Sequence, residues 1–544
     1  MSLRTTPVGQ LLSSIPRPAL VLFVYAIVTA VVYRSALTMA FTSDDFFFLD
    51  IVSRASTPLV IFEPLLARFL RPLVVAVYYF NYQMFGLTAW PYHVATLLPH
   101  LATGWLVYLV AGRLGGKDET LWAFLAGLLF IVFAGHSEAV AWVAGVADPL
   151  VAACLLAAFY AYLRAIERGA SLRWLTAMFV AVFAAALAKE TWVAFPGFLV
   201  AHALIFGRTD HVVASRLRVA LGGTVVLLAS YLLFRRLLFG TVFGGLEGSG
   251  VSLQAGLFGE HVRAFLLRCF LPPGHVAATL WATGRDLLIW PAAGILVALI
   301  VRGRALRMVL FTAVSTVVAL VPVLPLTISI STPESERYVY VASIFSSMLL
   351  CWFVRGVFRW PPLAAAICLA TIVVHGTALI RSNAFWHSNG VLTRTVVDSF
   401  AELVLLHDPG GRSAIYLLNA PDNQEGRYVF RAGFYEAVPL LRPDVAARTS
   451  STICIATHAV RRAQDLVQVR RTGPRSFSVD FGNNGIIQPQ IPSTATFRIT
   501  AQTPTSYEVE FSEALGRATV LYFSDGRMHY AGTIGGGPGG NAPR

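Results

Sequence analysis

The chain has 544 residues, 56% of them hydrophobic and only 13% charged, against about 25% charged in an ordinary soluble domain. That composition excludes a soluble globular protein and calls for repeated apolar runs of membrane-spanning length. The net charge of +13 does not point to a nucleic-acid partner, because the basic residues sit in short clusters between apolar runs.

The runs fall at about 19–41, 91–111, 120–136, 147–163, 172–188, 191–206, 217–238, 286–301, 307–327, 337–354 and 362–380. They predict a polytopic α-helical membrane protein of about 11 transmembrane helices. Arg113 and Lys117, then Arg164, Arg168 and Arg173, then Arg208, Arg216 and Arg218 occupy alternate short loops. Arg302, Arg304 and Arg307, then Arg355 and Arg359, continue the series. By the positive-inside rule these loops and the N-terminus are cytoplasmic, and the residues after the last span are extracytoplasmic. Arg4 and Arg17 precede the first run, which reads as an uncleaved helix. No Asn-x-Ser/Thr sequon occurs, which favours a bacterial inner membrane over the endoplasmic reticulum.

The outer side collects the ionisable residues. Ser43-Asp44-Asp45-Phe46 follows the first run and opens an outer loop, 42–90, too polar to be a span throughout. Its aromatic stretch, Tyr78 to Phe85, reads as helix lying in the membrane interface. Farther along, the outer side holds His136-Ser137-Glu138, the Lys189-Glu190 turn, a loop around 240–285, and Ser335-Glu336-Arg337-Tyr338. Asp148, before Pro149, reads as a helix cap. His93 and His100 share the second span and serve either as interior residues or as substrate ligands. Trp386 reads as part of an aromatic belt.

Beyond about 400 the composition changes. Strand-like runs at 414–418, 452–455, 495–500, 507–511 and 518–523 alternate with Pro, Gly and Asn turns. The expected layout is a transmembrane domain over 1–390, a small extracytoplasmic domain, mostly β or α+β, over 391–534, and a disordered Gly-rich tail over 535–544. Five cysteines lack ligand spacing, and no P-loop or GxGxxG motif appears.

Transfer of a sugar from a polyprenyl phosphate needs a carboxylate to take the acceptor's proton, a cation for the leaving phosphate and an apolar groove. Asp44 or Asp45 suits the base; Arg337, Lys189 or Arg71 suits the phosphate, with Arg able to grip it through two hydrogen bonds. Glu138 and His136 suit the acceptor or a metal ion. Adjacent Asp44 and Asp45, with Glu138, also make a candidate site for Mg²⁺ or Mn²⁺. An Arg beside acids is also a common structural ion pair, and Arg337 lies close to Glu336 and Glu334.

Seven stretches carry a family resemblance. They are Asp44-Asp45; Arg71-Pro72 with Phe85-Gly86-Leu87; Tyr92-His93 with His100; and His136-Ser137-Glu138 through Trp142 with Gly145 to Pro149. Lys189-Glu190-Thr191, Ser335-Glu336-Arg337-Tyr338 and Arg381 to Trp386 complete the series. In this order, over roughly 40–390, the chain resembles the GT-C superfamily of polyprenyl-phosphate-sugar glycosyltransferases. Within it, the chain is similar to the transmembrane O-mannosyltransferases with tetratricopeptide repeats and their bacterial relatives, but the repeats are not visible here. The resemblance implies inverting transfer of a sugar to an acceptor hydroxyl on the outer face. It implies Asp44 or Asp45 as base, Glu138 as a second acid of the site and Arg337 as a phosphate contact. Arg71, His93, His136, Lys189, Glu190, Glu336 and Tyr338 join Arg337 as expected substrate-binding residues. Without the repeats the acceptor is open among protein, lipid and glycan, and mannose is one candidate sugar. A transporter or flippase for a lipid-linked substrate is the alternative; its charges would lie near the membrane midplane rather than at the outer helix ends.

Overall fold

The computed structural model describes residues 17–65, 69–116, 119–167, 170–207, 211–242, 255–283, 303–411, 413–449 and 451–535. The chain forms two compact units: 1–37 with 57–384, and 38–56 with 385–544. This division differs from the expected boundary at 390, because the segment carrying Asp44 and Asp45 groups with the C-terminal residues.

The first unit is helical. Among the described residues six helices are long and apolar enough to cross a membrane: Trp90–Gly115, Val143–Ala165, His211–Phe239, Ala305–Val323, Glu336–Val357 and Pro361–His407. A bent pair, Thr120–Ile131 and Ala134–Ala141, makes a seventh when counted as one span, and Pro18–Val32, Arg173–Ala188 and Glu190–Phe206 are shorter apolar helices. The chain is thus a multi-pass membrane protein, and ten of the eleven expected runs carry one of these helices. The run at 286–301 lies outside the described residues. Within 42–90, Asp44–Ser53 and Pro72–Phe85 are helices of 10 and 14 residues, short of the roughly 20 that a crossing requires.

The bent pair turns by 50°, and a broken helix frees backbone groups that need other partners. Two histidines supply them. His375 Nδ1 accepts from the Ala134 amide at 3.2 Å, and His100 Nε2 lies 3.2 Å from the Ile131 carbonyl. The break aims the short helix Ser137–Ala141 in a new direction. Gly145 permits close packing behind it, since a Cβ there would lie 2.6 Å from the Glu138 carbonyl oxygen.

The second unit takes the latter part of Pro361–His407 and builds two sheets. Strands β1 (Ala414–Gln424), β2 (Arg427–Tyr428), β3 (Thr452–Val460), β8 (Ala518–Ser524) and β9 (Arg527–Ile534) form a five-stranded mixed sheet. In it β1 runs parallel to β3 and β8, with Leu417 opposite Cys454 and Leu521. Strands β4 (Gln468–Arg471), β5 (Ser476–Asp480), β7 (Ser506–Phe511) and β6 (Phe497–Gln502) form an antiparallel sheet in that order. Alternation along β5 and β7 sends Phe477, Val479, Tyr507, Val509 and Phe511 into a core shared with Tyr416, Leu418 and Val520. Beyond the Leu417–Leu521 pair, the buried Asn419 side chain continues the ladder, donating to the Phe523 carbonyl at 2.9 Å and accepting from its amide at 3.0 Å. The expected strands at 414–418, 452–455, 495–500, 507–511 and 518–523 all appear; β2, β4, β5, β9 and the helix Phe434–Leu441 are additional. Trp386 is buried against Tyr428, with ring centroids 6.1 Å apart, so it packs in the second unit instead of joining an aromatic belt. All five cysteines are free thiols.

His458 on β3 is buried between the Phe481 and Phe523 rings, and Nδ1 meets the Ala420 carbonyl at 3.2 Å. Burial lowers its pKa to about 4. The folded protein holds it neutral down to that pH, whereas the unfolded chain takes up a proton near 6.5. Below 6.5 the unfolded state therefore binds more protons, and stability falls as pH drops towards 4. Unfolding of this domain, followed by amide exchange in β1 and β3, should become easier by up to about 3 kcal/mol from pH 7 to pH 4. His458→Phe should flatten that dependence, and an unchanged slope in the variant would assign the acid sensitivity elsewhere.

Candidate functional site

One ion pair and several hydrogen bonds tie the bent helix of the first unit to the turn at 335–339, and a second ion pair ties that turn to Arg268. Glu138, wholly buried, forms an ion pair with Arg337, and its Oε2 accepts the Arg337 backbone amide at 3.1 Å. Glu336 points the other way. Its Oε2 pairs with Arg268 at 2.9 Å, both side chains fully buried, while Oε1 accepts from the Ser137 hydroxyl and from the Glu138 amide at 3.2 Å. Ser137 also meets the Ser382 hydroxyl at 2.7 Å. Neighbouring residues on each segment thus hold opposite partners on the other. Arg337 remains about one-fifth exposed, with its guanidinium 5.2 Å from the Trp142 ring and 5.1 Å from the Tyr338 ring.

Tyr338 leads into a cavity of about 520 Å³. Its walls are largely apolar, from Phe69, Val193, Leu228, Leu232, Val323 and Leu326, and its polar residues are Arg71, Lys189, Glu190, Thr191, Tyr231 and Arg235. Local structure explains how they converge. Arg71 immediately precedes Pro72, which opens a helix at its first position. Lys189 is extended between two helices and sends consecutive charged residues into one space. Arg235 sits at the end of His211–Phe239, where its Nε donates to the Val242 carbonyl at 2.9 Å.

The charges are only partly balanced. Glu190 lies between two arginines, 2.8 Å from Arg71 and 3.7 Å from Arg235. Lys189 pairs with Asp148 at 2.5 Å and lies 5.6 Å from the Tyr338 ring centre. Three cations and one carboxylate therefore line an otherwise apolar space. Such a site suits an anionic group attached to a hydrocarbon chain.

Of the expected substrate-binding residues, Arg71, Lys189, Glu190 and Tyr338 line this cavity, and Arg337 reaches the Tyr338 ring. His136 lies in a closed cluster, 2.7 Å from the Ser343 hydroxyl and 4.4 Å between ring centres from Tyr340. Glu336 is equally enclosed, and His93 is buried on Trp90–Gly115. Arg337 pairs with Glu138, 199 positions away in sequence, and Asp148 is an ion-pair partner for Lys189 rather than a simple cap. Reading the sequence did not single out Arg235, Arg268 or His375. For Arg235 a signal existed: Arg235 and Arg236 are adjacent charges inside the apolar run 217–238, where charged residues are rare.

In the second unit, Asp44 and Asp45 begin the helix Asp44–Ser53 and differ in surroundings. Asp45 is buried, with Oδ2 accepting the Thr42 amide at 2.9 Å. Asp44 is half-buried, with the Ser43 hydroxyl at 3.4 Å. Among the described residues no three His, Cys, Asp or Glu side chains gather as a metal site, and Arg337 engages both Glu138 carboxylate oxygens.

No family model matches the chain. Protein O-mannosyl-transferase Tmtc1 of Drosophila melanogaster is 38% identical over 94 residues, 17% of this chain and 11% of that protein. Tmtc3 of the same organism is 32% identical over 158 residues, 25% of this chain and 17% of that protein. The chain thus spans well under a fifth of the length of these curated relatives. The O-mannosyltransferase resemblance carried by the motifs is matched by this partial sequence similarity. A crystal structure of ArnT from Cupriavidus metallidurans, bound to undecaprenyl phosphate, aligns over 90% of this chain and 98% of its own, with TM-score 0.45 and 14% identity.

Removing Arg268 leaves the Glu336 carboxylate buried without its cation, a loss of about 3–5 kcal/mol. Arg268→Met should lower the melting temperature in detergent sharply, and Arg268→Met/Glu336→Gln should recover part of it. Equal melting of Arg268→Met and wild type would show that the pair does not brace this region.

Proposed function

We propose that this chain is an inverting glycosyltransferase that moves a sugar from a polyprenyl-phosphate donor to an acceptor hydroxyl on the extracytoplasmic face of the membrane. The cavity is the observation that carries this reading, because it joins apolar walls to Arg71, Lys189 and Arg235. A polyprenyl phosphate has the same two parts. The hydrocarbon chain would take the apolar wall, and the phosphate would take the cations, with arginine offering paired donors. Partial similarity to proteins named O-mannosyltransferases supports a sugar as the transferred group and makes mannose the first to test.

In the proposed reaction the acceptor oxygen attacks the anomeric carbon as the bond from that carbon to the phosphate oxygen breaks. The phosphate leaves with the bonding electrons, and the acceptor's proton passes to a carboxylate. We assign that carboxylate to Asp44, since Asp45 is buried and held by the Thr42 amide. Arg71, Arg235 and Lys189 would stabilise the charge that grows on the leaving phosphate, which is where electrostatic catalysis contributes most. Arg337, fixed by Glu138, would present its remaining exposed edge beside Tyr338. The acceptor class, protein, lipid or glycan, is left to assay with a membrane extract.

The test uses purified full-length protein, radiolabelled polyprenyl-phosphate sugars and a membrane extract. Asp44→Asn should reduce transfer by about 10²–10⁴-fold, the usual contribution of a general base. Arg71→Ala and Arg235→Ala should each weaken donor use by about ten- to a hundredfold, matching the loss of a charged hydrogen bond. EDTA in the same assay tests the divalent ion: turnover lost and restored by Mg²⁺ or Mn²⁺ would add a metal to the mechanism. Saturable lipid binding without turnover of any donor, unaffected by Asp44→Asn, would favour the transporter reading.

A further inference from the structure

The proposed base stands on a short outer segment, and something must hold its carboxylate in place. In the second unit that segment is gripped by residues 429–433. The Ser43 amide donates to the Val429 carbonyl at 3.0 Å, and the Ala432 amide donates to the Ser43 hydroxyl at 3.3 Å. Ser43 has a positive φ of 49°, a conformation that non-glycine residues adopt only when their surroundings enforce it. Gly433 lies directly against it. With φ 80°, a Cβ there would fall 2.2 Å from the Ser43 carbonyl oxygen and 3.3 Å from the Phe46 Cβ.

The gripping segment is itself anchored. The Val429 amide donates to the Asp422 carbonyl at 2.9 Å, and Arg431 pairs with the buried Asp422 carboxylate at 2.8 Å. Asn389 Nδ2 holds the Arg427 carbonyl at 2.8 Å. Gly433 is also the N-cap of Phe434–Leu441, its carbonyl accepting the Ala437 amide at 2.8 Å. A strained residue immediately before a proposed base, clamped by an anchored segment, is more than packing requires. A base must be held close to its productive position, since small displacements cost rate steeply.

We propose that residues 429–433 of the C-terminal domain are a positioning element for Asp44, acting through Ser43. The inference rests on the reading of Asp44 as the general base. It gives the C-terminal domain a task inside the reaction, in addition to any contact with acceptor.

The experiment compares Gly433→Ala, Ser43→Val, Asp44→Asn and Gly482→Ala in the full-length protein, by transfer kinetics and by amide exchange at residues 43–46. Gly482 also has positive φ, 59°, but a Cβ there would meet nothing within 4 Å, so it controls for backbone strain elsewhere in the domain. Gly433→Ala should lower kcat by about ten- to a hundredfold with donor KM nearly unchanged, and should speed exchange of the Ser43 amide. Ser43→Val, β-branched at positive φ, should do the same, whereas Gly482→Ala should retain wild-type kcat. Wild-type kcat and wild-type Ser43 protection in folded Gly433→Ala would overturn the inference. If Gly433→Ala does not fold, wild-type kcat in Ser43→Val overturns it instead. Full turnover by Asp44→Asn would remove the base assignment itself, an outcome separate from failure of the grip while Asp44→Asn is inactive.

Discussion

The exchange of partners between Ser137-Glu138 and Glu336-Arg337 is the constraint on which the helical unit's site depends. Burying Glu138, Glu336 and Arg268 in a membrane protein is costly, and each is retained only because an opposite charge meets it. Glu138 takes both the side chain and the amide of Arg337; Glu336 takes Arg268 together with the Ser137 hydroxyl and the Glu138 amide. Because backbone groups participate on both sides, the bond pattern fixes the position of the turn as well as its charge. Tyr338 follows directly, and it forms one wall of the cationic cavity.

The same economy explains the bend at 131–134. A continuous helix would satisfy its own backbone, whereas this one gives up that advantage and recruits His100 and His375 to cover the exposed groups. What is gained is direction: the segment after the break carries Glu138 to Arg337. Irregular backbone within an apolar protein is tolerated where protein partners surround it, and here the partners are two histidines with their ring nitrogens at the break. His136 completes the brace through Ser343 and Tyr340.

Much of this was legible in the residues. Hydropathy located the helices because twenty apolar residues admit few other structures, and strand-like runs bounded by turn residues located β7 and β8. The short, polar β4 (Gln-Val-Arg-Arg) carried too little pattern to register. The hairpin to β9 had a signal in Asp525-Gly526, both at positive φ, the residues a tight turn prefers. At the site, motif order brought out Arg71, Lys189, Glu190 and Tyr338, which line one cavity. Pairing was not legible: nothing in the order of residues says that Glu336 faces Arg268, 68 positions earlier, or that Asp148 meets Lys189. Arg235 was hidden because it lies within an apolar run, where hydropathy averages over it. The grouping of 38–56 with the C-terminal residues likewise depends on contacts remote in sequence.

The proposed reaction depends on the cavity receiving a lipid-borne phosphate. The most direct measurement is a cryo-electron-microscopy structure of the full chain with polyprenyl phosphate in a nanodisc. Phosphate density between Arg71 and Arg235, with the hydrocarbon along Leu228, Leu232 and Leu326, is the predicted result. A lipid phosphate held elsewhere, with Arg71 and Arg235 still closed on Glu190, would contradict it.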